Sequence, residues 1–427
     1  MTKILQPVRG MNDILIDDIY IWNHVEQACK ETFDQYGYQE LRIPIVEKAE
    51  LYERSIGEST DIIEKEMYVF QDRNGEDLAL RPEATAGIVR AGLSNGLFHN
   101  KQQKLWCSGP MFRYEKPQKG RYRQFNQISV ESIGFSDPEM DAELISMSYR
   151  IWKKLNIKSA RLEINSLGTL EDRSNYRKDL ISFLSSFKDI MDDETLARLS
   201  KNPLRILDSK NPEIIKILNN APKLIDYLSE ESKTDFSKLQ NLLDQINIKY
   251  SINVKLVRGL DYYSKTVFEW KTDLLGSQDA ICSGGRYDGL IEKLGGKNIP
   301  AVGWALGTER IVELIKEESV ELIKDCPDIY IVMTSDAARS YGFNLAELLR
   351  EKVPNSKIVL DHLSGSIKSQ LKRADKSQAR IALILGDNEI EQGIISVKML
   401  RENVDQFDLS QNKLVAWLLV ETSIANT

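Results

Sequence analysis

Histidine is scarce in this chain, with only His24, His99 and His362 among 427 residues. None lies near the polar clusters described below, which argues against histidine acid–base catalysis. The four cysteines, Cys29, Cys107, Cys282 and Cys326, form no CxxC pair, so neither a zinc site nor a disulfide scaffold is expected. No apolar run is long enough to cross a bilayer. The opening "MTKILQPVRGMNDILIDD" turns polar too soon for a secretory signal, so a cytoplasmic protein with no membrane partner is expected. A net charge of −7 argues against a chain that coats nucleic acid non-specifically, but leaves room for local basic patches. What remains is a globular chain, too long for one ordinary core, and two or three domains are expected.

Apolar spacing predicts a helix over residues 14–37, with Gly37 as its stop. Met67 to Glu83 reads as a hairpin around Asn74-Gly75. Strand-like runs follow at 104–113, 124–133, 254–257, 267–270 and 280–283, mostly joined by turns, which implies a largely antiparallel sheet. Residues from about 170 to 242 have helical periodicity and few glycines, and read as a helical insertion. Beyond a boundary near Lys324 to Asp328, strands at 329–333, 357–360 and 381–385 alternate with helices at 337–352 and 367–376. That pattern predicts a small α/β domain with a mixed sheet. The fold class is therefore α+β, with domains at 1–325 and 326–427.

Five polar constellations interrupt this pattern. "MFRYEKPQKGRYRQF", Met111 to Phe125, sets Arg113, Lys116, Lys119, Arg121 and Arg123 against Glu115 alone, with turn residues Pro117 and Gly120 at its centre. A charge run is usually a solvated face. Here the chain is otherwise acidic and Phe125 closes the run, which suits a nucleotide: guanidinium forks for phosphates, a ring for the base. "LALRPEATAG" places Glu83 and Thr85 at a helix start, where the carboxylate could hold a ligand ammonium or merely favour the helix dipole; on spacing alone the dipole reading is narrowly ahead. In "NQISVESIG" strand alternation puts Gln127, Ser129 and Glu131 on one face. "ICSGGRYDGLIEKLGG" matches neither a P-loop nor a dinucleotide fingerprint, and its Arg286 is as consistent with a buried structural arginine as with a ligand contact. "AVGWALGTERIVELI" reads as a strand, then a helix opening at about Thr308 with Arg310 in its first turn, where anions are favoured.

Together these segments resemble a class II aminoacyl-tRNA synthetase, and specifically the histidyl-tRNA synthetase family. "RIPIVEKAELYERSIGEST", the "FRYE" stretch and "GWALGTER" are similar to the three class signatures, and "VRGLDYYSKTVFEW" and "SGGRYDGLIEKLGG" to the two histidine-specific segments. The resemblance runs over nearly the whole chain. It implies a catalytic domain with an antiparallel sheet and helical insertion, a C-terminal anticodon-binding domain, and a homodimer with Pro44 at its interface. It implies attachment of L-histidine to histidine tRNA, with ATP and Mg2+ and no structural metal. By the same resemblance, Arg258 and Arg113 act on the α-phosphate, and Arg113, Glu115, Arg121, Phe125 and Arg310 hold ATP. Glu83, Thr85, Gln127, Glu131, Tyr262 and Tyr263 hold histidine, Glu131 and Tyr263 bracketing its imidazole, while Arg286 supports the pocket. Lys116, Gln118 and Lys119 meet the tRNA acceptor end, and Lys372 and Arg373 lie on a basic helix of the anticodon-binding domain. Asp261 is expected to brace Arg258 or the tyrosines rather than touch substrate.

The chain departs from the family where Ala84 replaces a glycine and Trp304 a phenylalanine, neither of which removes a chemical group. One rival is a non-catalytic paralogue serving histidine biosynthesis. The intact Arg258 segment, Arg310 and the tail domain oppose it. The other is a synthetase for threonine, proline or glycine, opposed by "RGLDYY" and by the lack of zinc ligands.

Overall fold

The computed structural model of the protein describes residues 4–57, 60–99, 102–209, 211–276, 279–322, 326–363 and 365–425. The chain forms two compact units, Met1–Leu322 and Ile323–Thr427. The expected boundary residues Lys324 and Asp325 lie outside the described residues.

Among the described residues, the first unit contains eleven strands: β1 Gln39–Glu40, β2 Val46–Lys48, β3 Tyr68–Gln71, β4 Asp77–Leu80, β5 Gln103–Phe112, β6 Gln124–Ile133, β7 Arg161–Ser166, β8 Tyr250–Ile252, β9 Ser264–Lys271, β10 Ala280–Arg286 and β11 Ala301–Gly307. Eight of them form one sheet in the order β1-β5-β6-β11-β10-β9-β7-β8, and β2-β4-β3 form a small second sheet. The large sheet is antiparallel except at β1·β5 and β7·β8. Its last strand in sequence, β11, therefore sits at its centre, hydrogen-bonded to β6 on one side and β10 on the other.

Period-2 alternation decides which side chains reach which layer. Ile128 and Val130 of β6 join Trp106, Phe268, Trp270 and Trp304 in a core covered by the helices Ile16–Tyr36, Pro138–Lys154 and Thr308–Glu317. Gln127, Ser129 and Glu131 are left for the other face. Gly37, at φ 75°, ends the first helix as its sequence predicts. The helical insertion is present as Leu170–Ser185, Asp193–Lys201, Pro212–Leu218 and Glu230–Gln245 with short 3-10 turns between them. Thr169 opens it with a capping box to Asp172.

Residues 254–257 are not a strand, contrary to expectation. The ladder ends at Ile252, and Asn253 turns the chain: its side chain accepts the Lys255 N–H at 3.0 Å, and its carbonyl the Leu256 N–H at 2.9 Å. The second unit is an α/β layer with the mixed sheet β13-β12-β14-β15-β16, from Ile329–Met333 (β12), Ile358–Leu360 (β13), Ile381–Leu385 (β14), Ile394–Met399 (β15) and Phe407–Ser410 (β16). Among the described residues, no helix is long and apolar enough to cross a membrane.

Candidate active site

A cavity of about 270 Å³ opens in the first unit where five segments meet: the hairpin loop between β5 and β6, the chain entering the helix Thr85–Ser94, the stretch Arg258–Tyr263, the middle strands β10 and β11, and the start of the helix Thr308–Glu317. Arg113, Glu115, Arg121, Phe125 and Arg310 line it together with Glu83, Thr85, Gln127, Arg258, Tyr262 and Tyr263. The two groups, some 230 residues apart at their extremes, thus share one space.

The cationic part is held by short local contacts. The Arg113 Nε donates to the Pro82 carbonyl at 2.9 Å, and its guanidinium lies 5.4 Å from the Phe125 ring centre. Arg121 pairs with Glu115. Burial pulls Arg113, Arg121 and Arg310 below the ordinary arginine range; Arg113 presses on Arg121, and Arg121 on Arg310. Crowded, half-desolvated guanidinium groups are an anion site, because a phosphate relieves both burdens at once. Arg258 is the exception: burial opposes its charge most strongly, but Glu269 on β9 together with Tyr263 and Tyr262 outweighs burial and its pKa rises. Glu269 in turn is 3.5 Å from Lys271 Nζ and accepts from Ser283 at 3.5 Å.

The polar part is more enclosed. Glu83 accepts the backbone N–H groups of Thr85 at 2.7 Å and Ala86 at 2.8 Å, so it caps the helix whose start it precedes, and burial raises its pKa. Its remaining lone pairs face the cavity it lines. Glu131 lies behind this wall, 1% exposed, taking hydrogen bonds from the Thr85 hydroxyl at 2.6 Å and from the Tyr287 hydroxyl. It is therefore not one of two brackets open to the cavity with Tyr263, as expected; both its oxygens are engaged. Burial lifts its pKa to about 8. Gly303 opposite it in β11 makes this possible, since a Cβ there would stand 1.8 Å from a Glu131 oxygen. Tyr262 packs on Tyr263 and Tyr287, with ring centres 4.8 and 5.6 Å away.

Other expected residues fall elsewhere. Arg286 does not line the cavity. It is 2% exposed and tied to buried Asp141 at 3.0 Å and to the carbonyls of Phe135 and Asp137, joining β10 to the start of the helix Pro138–Lys154. Asp261 braces neither Arg258 nor the tyrosines. Its carboxylate accepts from Asn202 at 2.8 Å and lies 3.7 Å from Arg205, both in the helical insertion, while its backbone N–H donates to the Ile56 carbonyl at 3.1 Å. Lys116, Gln118 and Lys119 are exposed on the hairpin loop, where Lys119 pairs with Glu317 and sits 3.6 Å from Glu313. In the second unit Lys372 is exposed, whereas the guanidinium of Arg373 grips Asp361 at 2.8 and 3.0 Å. Sequence reasoning missed Glu269, Tyr287 and Glu309. Glu309 accepts the backbone and side-chain N–H groups of Asn126 at 2.8 and 3.1 Å, and burial lifts its pKa to about 7. Among the described residues, no group of three or more histidine, cysteine, aspartate or glutamate side chains is placed to hold a metal ion.

An antiparallel sheet carrying an arginine-ringed cavity, with a helical insertion beside it and a separate α/β unit, is the architecture of a class II aminoacyl-tRNA synthetase. The sequence model for histidyl-tRNA synthetase matches residues 10–311, and that for an anticodon binding domain matches residues 328–421. The apo histidyl-tRNA synthetase of S. aureus is 34% identical, covers 97% of this chain and 99% of its own, and superposes with a TM-score of 0.82. The histidyl-tRNA synthetase from Nostoc sp. PCC 7120, at 18% identity, TM-score 0.73, and coverage of 99% of this chain and 100% of its own, shares the fold. So does an ATP phosphoribosyltransferase regulatory subunit/histidyl-tRNA synthetase from Bacillus halodurans C, at 20% identity, TM-score 0.64, and coverage of 90% and 100%. The chain belongs to the histidyl-tRNA synthetase family. It is an ATP-dependent ligase that joins histidine to its tRNA through an adenylate.

Proposed function

We propose that the two polar groups in the cavity divide the first step between them. Arg258 and Arg113 neutralise charge developing on the α-phosphate as the histidine carboxylate attacks it, and Arg310 holds the far end of the triphosphate. Glu115 and Arg121 complete the ATP contacts and Phe125 stacks on adenine. Glu83, Thr85 and Gln127 take the α-ammonium of histidine, while Tyr262 and Tyr263 close over the imidazole. Glu131 acts from behind Thr85, fixing that hydroxyl and the Tyr287 phenol. The chemistry asked of the protein is positioning and charge stabilisation, which is what arginines and fixed dipoles supply.

Mg2+ enters with ATP. The carboxylates Glu115 and Glu309, which line the cavity near these arginines, are engaged by Arg121 and Asn126, so the ion would be held mainly through the phosphates of ATP rather than by these side chains. Residues 1–325 form the catalytic domain and 326–427 the anticodon-binding domain, where Lys372 and Arg373 belong to the tRNA-facing helix. Lys116, Gln118 and Lys119 meet the acceptor end, which requires Lys119 to leave Glu317. A homodimer is supported by the exposed Ile45, which follows Pro44, and by the exposed Val46, Val69 and Phe70 on the small sheet. The cytoplasm, where tRNA is charged for translation, is the proposed site of action.

The observation that carries this reading is the convergence of Arg113, Arg258 and Arg310 on one cavity with Glu83, Gln127 and Tyr263. Amino-acid-dependent ATP–pyrophosphate exchange tests it across all twenty amino acids. Exchange with histidine alone is expected; equal exchange with several, or none with histidine, would sink it.

A further inference from the structure

The stretch Arg258–Tyr263 is a thin wall. Arg258, Leu260 and Tyr263 line the active-site cavity on one side and a second cavity, of about 240 Å³, on the other. Around Gly259 the space is open, with nothing within 4 Å of where a Cβ would stand. Core packing holds the Tyr263 ring but therefore does not fix the backbone at Gly259, between Arg258 and the tyrosines.

The helical insertion supplies what packing does not. Arg205 donates to the Gly259 carbonyl, next to Arg258. Asn202 donates to the Asp261 carboxylate at 2.8 Å. Arg173 donates to the Tyr263 carbonyl at 2.7 Å. Three side chains, one from the helix Leu170–Ser185 and two from the turn at residues 202–208, thus grip alternate residues of one five-residue run. The same insertion reaches the segment Asp61–Glu66 through Lys201–Glu64 at 2.9 Å and Arg198–Asp61 at 3.6 Å. Ile62 of that segment also lines the active-site cavity.

We infer that Arg173, Asn202 and Arg205 are positioning residues for adenylate formation, and that the helical insertion is a clamp setting the reactive geometry of the wall it grips. Arg205 acts through Arg258 and Arg173 through Tyr263. Because the two reporters do different work, the two arms of the clamp carry different kinetic signatures, which a general loss of stability does not produce. Displacement of a catalytic group by about 1 Å costs up to about 100-fold in rate. Loss of an interaction shared by ground and transition states raises KM alone.

The inference rests on the roles proposed above for Arg258 and Tyr263, so both are tested alongside. In histidine-dependent pyrophosphate exchange, Arg205→Ala is expected to lower kcat about 10- to 50-fold with histidine KM within about twofold of wild type. Arg173→Ala is expected to raise histidine KM about 5- to 20-fold with a smaller change in kcat, and Asn202→Ala to fall between them. Arg205→Lys, which restores a donor to Gly259, recovers part of the loss. Urea denaturation of each variant shows whether the folded fraction is intact at the assay temperature. Slow exchange in Arg258→Ala together with wild-type kinetics in Arg205→Ala and Arg173→Ala overturns the clamp alone. Wild-type exchange in Arg258→Ala overturns the assigned role of Arg258, and the clamp with it. A proportional fall of kcat in all three variants, tracking the loss of folded protein, also overturns the clamp.

Discussion

Replacing Arg258 by alanine removes a charge, and it also uncovers one. The guanidinium is paired with Glu269 and its side chain is only 16% exposed. Loss of a preorganised group that stabilises transition-state charge costs about 100- to 1,000-fold in kcat, or about 3–4 kcal/mol. Without Arg258, the Glu269 carboxylate faces the incoming triphosphate with only Lys271, 3.5 Å away, to offset it. Two unit charges about 6 Å apart at an effective dielectric constant of about 20 repel by roughly 3 kcal/mol, and Lys271 cancels much of this, leaving on the order of 1 kcal/mol. Arg258→Ala should therefore improve, not worsen, when Glu269→Gln is added, by about five- to tenfold. Glu269→Gln alone keeps the cation but loosens its aim, and should cost about tenfold. Histidine-dependent exchange of labelled pyrophosphate into ATP, at saturating histidine, measures all four proteins. An Arg258→Ala enzyme within about threefold of wild type would refute the phosphate role. A double variant slower than the single one would refute the electrostatic argument.

Arg286 and Asp141 offer a test of stability: removing either partner leaves an uncompensated buried charge and should cost about 3–5 kcal/mol, while Asp141→Leu with Arg286→Met should cost far less than the two singles combined. Tryptophan fluorescence in urea reads this out, since five of the six tryptophans lie in the first unit; additive losses would contradict it. Glu131 sets a pH dependence. Its pKa rises from 4.5 unfolded to about 8 folded, so the native state holds that proton more tightly, and stability falls as pH rises through this window. The slope is at most about 1.4 kcal/mol per pH unit, and Glu131→Gln should flatten it between pH 5 and 8; parallel urea midpoints for the two proteins would be the contrary result.

Signals that are local in the chain were legible. The Arg113 loop stood out because five cations in eleven residues break an acidic background, and Arg310 because a strand, small residues and a helix start follow one another. Glu269 was not legible: it is one acid inside an apolar strand, and only the pairing of β9 with β10 brings it to the cavity wall beside Arg258. Asp141 and Arg286 are 145 residues apart, and nothing local marks either as the other's partner. The error at 254–257 came from reading Val254, Leu256 and Val257 as a strand, when Asn253 just before them had the side chain to end one. The helix Pro138–Lys154 carried a readable start, Asp137 followed by Pro138, that was passed over.

The central position of β11 bears on biosynthesis. The strands β1, β5 and β6 leave the ribosome first, and β7 to β10 later, yet the facing edges of β6 and β10 have no common neighbour until residues 301–307 emerge. A nascent chain arrested before Ala301 carries two half-sheets with open ladders, the kind of edge that pairs with other chains. It also lacks Gly303 and Arg310, so neither the seat of Glu131 nor the triphosphate end exists. The enzyme that charges tRNA for every growing polypeptide is thus inactive for most of its own synthesis, and is closed by one seven-residue strand.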